Sequence, residues 1–165
     1  HRFLTDDVVY MNTTNTLHYF ARTLRATGVR PVAVLWNVSA IRATHALDEA
    51  GLFEAPVYAE IVLTEGGLLA GHPGTVRGLE SMIDFIPETP RFEWNAMCVG
   101  GNLFPVVGAA IERGGHIAIG LGDYPYSEFG TPRNAELVER VALMARQVGR
   151  EVATPSEARR ILGLG

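Results

Sequence analysis

The sequence predicts a parallel α/β fold: a (β/α)8 TIM barrel, of which this chain carries about half as one partial-barrel domain over residues 1–165. Three observations predict it. Short β-branched runs alternate with amphipathic helices at roughly 25–30 residue intervals, the pattern of right-handed βαβ units. The strands read as apolar nearly throughout, as strands covered on both faces do. No G-x-G-x-x-G follows any strand, which argues against a doubly wound nucleotide-binding sheet. A complete barrel takes about 250 residues, and this chain holds about four strand–helix units. Half a barrel would leave two parallel edges unpaired, so either a partner half lies upstream or two chains complete one barrel. The first residue is His1 rather than Met, and the expectation is that the gene product starts further upstream.

Each element has a local reason. Asn15 or Thr16 is expected to start a helix with the stripe Leu17, Phe20 and Leu24, ended by Gly28. Pro31–Trp36 reads as a strand, after which Ser39 caps a helix through Ala50 that Gly51 stops. Pro56 introduces the strand Val57–Leu63. Thr75 caps a helix with Val76, Leu79, Met82 and Ile83 at helical spacing, and Pro87 and Pro90 end it. Phe92–Cys98 is the next strand; Asn102 caps Leu103–Arg113, and Gly114-Gly115 closes that helix. The last strand is expected over His116–Gly120, followed by a helix with Leu137, Val141, Met144 and Val148 on one face. Thr154-Pro155-Ser156-Glu157 is a capping box with proline at the first helical position, opening a short helix that ends at Gly163.

Composition excludes several functions. The chain is 47% hydrophobic and 19% charged, enough apolar material for a core. Its net charge is −4 with no basic stripe, which argues against nucleic acid as a partner. Apolar runs are far short of a membrane span, and His1–Asp6 does not resemble a signal peptide. Cys98 is the only cysteine, so no disulfide forms within the chain, and a reducing, cytoplasmic setting is expected.

In parallel α/β proteins functional groups follow the strands at their C-terminal ends. That rule selects Asn37, Thr64, Glu65, Gly66, Gly67, Gly100, Gly101, Asn102 and Asp123; of these Asp123 is the candidate catalytic residue, and Asn37, Glu65, Gly66, Gly67, Gly100, Gly101 and Asn102, with Tyr124 of the Asp123 turn, are the candidate substrate-binding residues. Each glycine pair alone is an ordinary turn; recurring pairs at one end of a sheet favour a pocket whose N–H groups tolerate an anion. Asp123 either orients a base or holds a metal-bound water, or it caps the turn Gly122-Asp123-Tyr124-Pro125. Asn102 is read first as a helix cap. The histidines lack H-x-H or H-E-x-x-H spacing, so no metal site is expected within this chain. His72 lies in the loop Gly66–Gly74, which reads as a lid over the pocket; His18 and His45 read as surface or packing residues, and His116 begins its strand at the end away from the pocket. Cys98 reads as a small core residue.

Several segments together resemble one family. Gly114-Gly115-His116, Gly120 and Asp123, then Gly149-Arg150 with Ala153-Thr154-Pro155, are similar to the C-terminal signature of the β-keto acid cleavage enzymes, the group that includes the 3-keto-5-aminohexanoate cleavage proteins. Gly28-Val29-Arg30-Pro31 resembles the family's G-V-x-P segment before the fifth barrel strand. Val62-Leu63 with Gly66-Gly67, Trp94, and Asn134–Val138 match in order.

The resemblance implies a TIM barrel, of which this chain is the C-terminal half, with a divalent metal, usually zinc, held largely by histidines outside this chain. It implies exchange of a β-keto acid and acetyl-CoA for acetoacetate and a new CoA ester, in a homo-oligomer. The family writes its last-strand motif G-G-H-x-R-x-G-x-E-D-N. Here the arginine position is Ala118, the metal-ligand glutamate is Gly122 and the asparagine is Tyr124. The acidic positions after the G-V-x-P proline are Val32 and Val34. Of the charged groups in the last-strand motif, Asp123 alone remains. The competing expectation is a catalytically lapsed barrel that binds a small carboxylic acid without turnover.

Overall fold

The computed structural model describes residues 10–164; His1 and the rest of 1–9 lie outside them. The elements run α1 (Thr14–Ala26), β1 (Val32–Leu35), α2 (Val38–Glu49), β2 (Val57–Thr64), β3 (His72–Pro73), α3 (Val76–Ile83), β4 (Phe92–Val99), α4 (Phe104–Glu112), β5 (His116–Ile117), a 3-10 turn at Ser127–Phe129, α5 (Asn134–Gln147) and α6 (Pro155–Ile161). Caps set most helix starts. Thr75 Oγ1 accepts from Gly78 N at 3.0 Å, as predicted. Thr154 and Glu157 form the predicted reciprocal box, with Thr154 N donating to Glu157 Oε2 at 2.8 Å.

The starts of α1 and α2 differ from the prediction. Thr13, rather than Asn15 or Thr16, caps α1, its Oγ1 accepting from Thr16 N. Asn37, rather than Ser39, caps α2, its Oδ1 accepting from Ala40 N at 3.0 Å. In each case an earlier side chain already reaches the first free N–H groups of the turn.

All strand pairs are parallel, in the order β1-β2-β4-β5. Neighbours in the sheet follow chain order without reversal, unlike a doubly wound sheet. β4 occupies one edge of β2 along Val57–Thr64. On the other edge β1 pairs with Tyr58–Ile61, and where β1 stops His72-Pro73 pairs beside Leu63 and Thr64. The predicted last strand is shortened. Only His116 and Ile117 pair with β4, and one more bond follows, from Ala118 N to Ala96 O. Beyond it the Gly120–Asp123 turn leaves the sheet.

One face of this sheet holds the apolar core. Ala59, Ile61 and Leu63 of β2 and Trp94, Ala96 and Cys98 of β4 lie buried with Ile41, Leu79, Met82, Val106, Val107 and Ala110 of the helices. Gly115 is fixed by this packing, because any Cβ there would strike the Trp94 ring. The other face differs from the prediction of apolar strands. Strand side chains alternate between faces, and the alternate residues begin with Tyr58 and Glu60 in β2 and Glu93 and Asn95 in β4, before Val62 and Met97 farther along. One sheet, wound in one direction and carrying its helical core on one face, is consistent with part of a (β/α)8 barrel; these residues do not close it. Among the described residues no helix is long and apolar enough to cross a membrane.

Candidate active site

The C-terminal ends of β2, β4 and β5 meet. Glu65 N donates to Val99 O at 2.9 Å, continuing the ladder into the first loop. Gly100 N donates to Asp123 O, also at 2.9 Å, and fixes the third loop to the second. Gly66, Gly67 and Gly100 have positive φ, and the backbones approach so closely that a Cβ on Gly100 would sit 2.7 Å from Glu65 O. A Cβ on Gly101 would sit 2.6 Å from Glu65 Cγ. The glycines therefore allow three strand ends to touch, a reason that a turn reading of any single pair does not supply.

Glu65 has a defined partner. Its Oε1 accepts from Gly74 N at 2.9 Å, holding the two ends of the β2–α3 connection together. Its charge and the burial of Cys98 push that thiol up to about 11, burial being the larger cause. Cys98 is a buried core residue, as predicted. His72 is not on a lid. It pairs with β2 beside Leu63, on the helical side of the sheet, and its Nδ1 meets Ser81 Oγ at 3.0 Å. Ser81 Oγ also donates to Gly78 O, which ties the imidazole to the first turn of α3.

Asn102 does not cap α4 in the predicted position. The helix starts at Phe104, and Asn102 Oδ1 accepts from Phe104 N at 2.8 Å while Nδ2 donates to Glu128 Oε1 at 2.7 Å. This joins the β4–α4 loop to the 3-10 turn. Asn37 is exposed and engaged as the α2 cap. Tyr124 lies edge-on to Tyr126, ring centres 5.0 Å apart; partial burial and Glu128 raise its phenol above the usual value.

Asp123 is held by packing beneath its turn. Tyr126 is 1% exposed and adopts the left-handed conformation, φ 50°, which costs a non-glycine residue about 1–3 kcal/mol. Its ring stacks on Phe129 and meets Phe104 edge-on. Asn134, at the start of α5, accepts from Leu121 N at 2.9 Å and secures the other side of the turn. Asp123 is half-buried, and burial raises its carboxyl above the ordinary aspartate value. Gly122 faces open space, with nothing within 4 Å of a Cβ placed there.

Below Asp123, the polar face of the sheet carries groups that sequence reasoning missed. Glu60, Asn95 and His116 are register partners across β2, β4 and β5. Asn95 Nδ2 donates to Tyr58 Oη at 2.8 Å, and His116 Nε2 lies 3.1 Å from Glu93 Oε2. Burial raises Glu60 above the usual glutamate value; the Asn95 amide opposes that and the charge of Asp123 adds to it. Burial likewise raises Tyr58, with Asn95 opposing and Glu60 and Glu93 adding. The signal was the period-two alternation in Val57-Tyr58-Ala59-Glu60 and Phe92-Glu93-Trp94-Asn95.

Among the described residues no three His, Cys, Asp or Glu side chains are placed to share a metal ion. A protein zinc site needs three or four ligands, so this chain's described residues do not form one. A cavity of about 90 Å³ lined by Arg30, Pro31, Leu52, Pro56 and Leu162 lies at the opposite, N-terminal end of the strands. There Arg30 binds the carbonyls of Ala55, Leu162 and Gly163, which makes that end a structural seam.

The model of the beta-keto acid cleavage enzyme family matches residues 1–164. The chain is 38% identical over 160 residues to the 3-keto-5-aminohexanoate cleavage enzyme of Acetoanaerobium sticklandii, covering 96% of this chain and 57% of that protein. It is 34% identical to the enzyme of the same name from Fusobacterium nucleatum, covering 96% and 56%. It is 31% identical to 3-dehydrocarnitine:acetyl-CoA trimethylamine transferase of Rhizobium meliloti, covering 98% and 53%. The chain spans a little over half the length of these relatives.

Proposed function

The chain belongs to the beta-keto acid cleavage enzyme family, and from that premise we propose that the whole protein transfers an acyl group between a β-keto acid and acetyl-CoA, giving acetoacetate and a new CoA ester. The observation that carries this reading is Asp123, fixed at the meeting point of three strand ends in a chain that matches the family along its length.

Asp123 acts as the general base in this reading. Its carboxyl sits in a half-buried turn, where burial makes it a stronger base than an exposed aspartate. It takes the proton whose removal starts carbon–carbon bond formation or cleavage next to the keto group. Gly100 N and the Tyr126 packing hold it in place. In this reading the Gly66-Gly67 turn lines the approach for the substrate carboxylate, the Gly100-Gly101 turn holds Asp123 and Glu65 in place, and Glu65 and Asn102 brace the neighbouring loops. A divalent metal, zinc by resemblance, would be held mostly by residues outside this chain and would supply Lewis-acid polarisation. The protein is proposed to work in the cytoplasm as a homo-oligomer.

The test is an acyl-exchange assay of the whole protein with acetyl-CoA and a panel of β-keto acids. Asp123→Asn is expected to lower kcat/KM by about 10²–10⁴-fold with the fold retained by circular dichroism, the usual weight of a general base. Full activity in the variant removes Asp123 from the chemistry. The replacement of charged family positions by Val32, Val34, Ala118 and Gly122 favours a second reading, a barrel that binds a small carboxylic acid without turnover. Absence of turnover across the panel, with metal supplied, selects that reading.

A further inference from the structure

Asp123 is weakly held by its own strand. β4 pairs with β2 along all 8 of its residues, whereas only His116 and Ile117 of β5 pair with β4. The ladder ends with the bond from Ala118 N to Ala96 O, well short of Asp123.

Its position comes instead from across a loop. Backbone, amide and ring contacts join the segment after β5 to the β4–α4 connection. Gly100 N donates to Asp123 O at 2.9 Å. Asn102 Nδ2 donates to Glu128 Oε1 at 2.7 Å. Between these, the Tyr126 ring meets Phe104, the first residue of α4, edge-on with centres 5.8 Å apart.

Tyr126 is the unusual member of this set. It is 1% exposed, and among the described residues it is the one non-glycine with positive φ. Glycine takes such a backbone without strain, as Gly66, Gly67 and Gly100 do at the neighbouring strand ends. A turn that needed only to reverse the chain would be served by glycine here too. A tyrosine stays in the left-handed region only where its surroundings over-determine it. Here Phe129 stacks on the ring with an interplanar angle of 8°, and Phe104 and Tyr124 meet it edge-on. Arg140 of α5 lies over Phe129, 4.5 Å from the ring centre. The phenol end also faces this region: burial raises it, the Leu103 backbone opposes this, and the charges of Cys98, Asp123 and Glu128 add to it. A shift of Asp123 away from Gly100 would therefore drag the ring out of a buried seat built by α4, α5 and the 3-10 turn.

We propose that Tyr126 is a positioning residue for Asp123: its left-handed backbone and buried ring lock the Asp123 turn onto the Gly100–Phe104 segment, in place of the pairing that β5 lacks. The inference rests on the reading of Asp123 as the general base, and it names what keeps that base at a fixed distance from the Gly100-Gly101 turn. Tyr126 acts through Asp123 and not on the substrate.

The test pairs a structural readout with a kinetic one on the whole protein. Tyr126→Gly keeps the backbone reversal and removes the ring; Tyr126→Phe keeps the ring and removes the hydroxyl. In Tyr126→Gly the Gly100 amide is expected to exchange hydrogen at least about tenfold faster, while the amides of the β2–β4 ladder keep their protection. In the acyl-exchange assay kcat is expected to fall about 10²-fold, the scale of a misplaced catalytic group. KM is expected to stay within about threefold of the parent, because the substrate contacts remain. Tyr126→Phe is expected to restore both readouts. Phe129→Leu removes the stacking partner and leaves the turn itself intact; it is expected to move both readouts the same way by less, and it serves as the test if Tyr126→Gly does not fold. Gly100 protection that survives loss of the ring overturns the proposal, as does faster Gly100 exchange with unchanged kcat. Failure of Tyr126→Phe to restore protection transfers the role to the hydroxyl and also overturns it. Uniform loss of protection across the ladder in both Tyr126→Gly and Phe129→Leu does the same, because it assigns the ring to overall stability. A parent protein without turnover on any β-keto acid removes the general-base reading, and Gly100 exchange then decides the positioning of Asp123 by itself.

Discussion

The two faces of β2 and β4 use the same backbone for opposite purposes. On the helical face Ala59, Ile61 and Leu63 are fully buried in one apolar cluster with Leu79, Met82 and Val107. On the opposite face Tyr58 and Glu60 stand beside Glu93 and Asn95, and burial there pushes titratable groups away from their charged forms. The first face gains from removal of apolar surface from water. The second gives up part of that gain to hold polar and titratable groups. The apolar core is therefore concentrated on one face and the polar chemistry on the other, separated by one residue along the strand.

Adjacent substitutions break or sharpen this contrast. Ile61→Ala should cost about 2–5 kcal/mol through lost burial and a cavity, read as a lower urea midpoint. A loss below about 1 kcal/mol would mean that the helical face is loosely packed. Gly101→Ala should cost about 1–3 kcal/mol, because the new Cβ meets Glu65 with no room to move. Glu65→Ala should restore most of that loss in the double variant; additive losses would show that the Gly101–Glu65 contact is not the cause.

Glu60→Gln should have a smaller effect of opposite sign, raising the melting temperature near neutral pH. Glu60 has a folded-state pKa above its unfolded value, so its stabilising contribution is present below the unfolded pKa, about 4.3, and is lost as pH rises through the folded value. The gap between variant and parent should thus close on acidification. A gap that is constant with pH would exclude the carboxyl as its source.

The smallest expected effect lies outside both faces. Glu157 and Glu136 are lowered below the usual glutamate value, first by the backbone N–H groups of Thr154 and Arg133. Their contribution is present above the unfolded value and lost as pH falls through the lower folded one. Amide exchange in the first turns of α5 and α6 should quicken below about pH 4, with the β2–β4 ladder unchanged.

The functional residues divide along the same line. Asp123 was legible because it follows a glycine-rich strand end, and the structure adds what holds it: Gly100 N, Asn134 and the buried Tyr126. Glu65 and Asn102 were legible as polar residues after strands, but their bracing of neighbouring loops was not, because Gly74 and Glu128 lie 9 and 26 residues away. The lid reading of His72 failed for a related reason. Two residues of strand pairing leave no local pattern, yet they turn the imidazole toward Ser81 and the helices.

By itself the sequence determined the order of strands and helices, the caps at Thr75 and Thr154, the glycine-rich strand ends and the family. These rest on local chemistry: a side-chain oxygen three residues before a free N–H, an apolar stripe at helical spacing, a glycine where φ is positive. Only the tertiary structure decided which residues share a face. Glu60, Asn95 and His116 come from three strands and become neighbours through register alone. Register is set by the pairing of whole strands, and a one-residue slip would exchange the two faces, so no short window of sequence contains it.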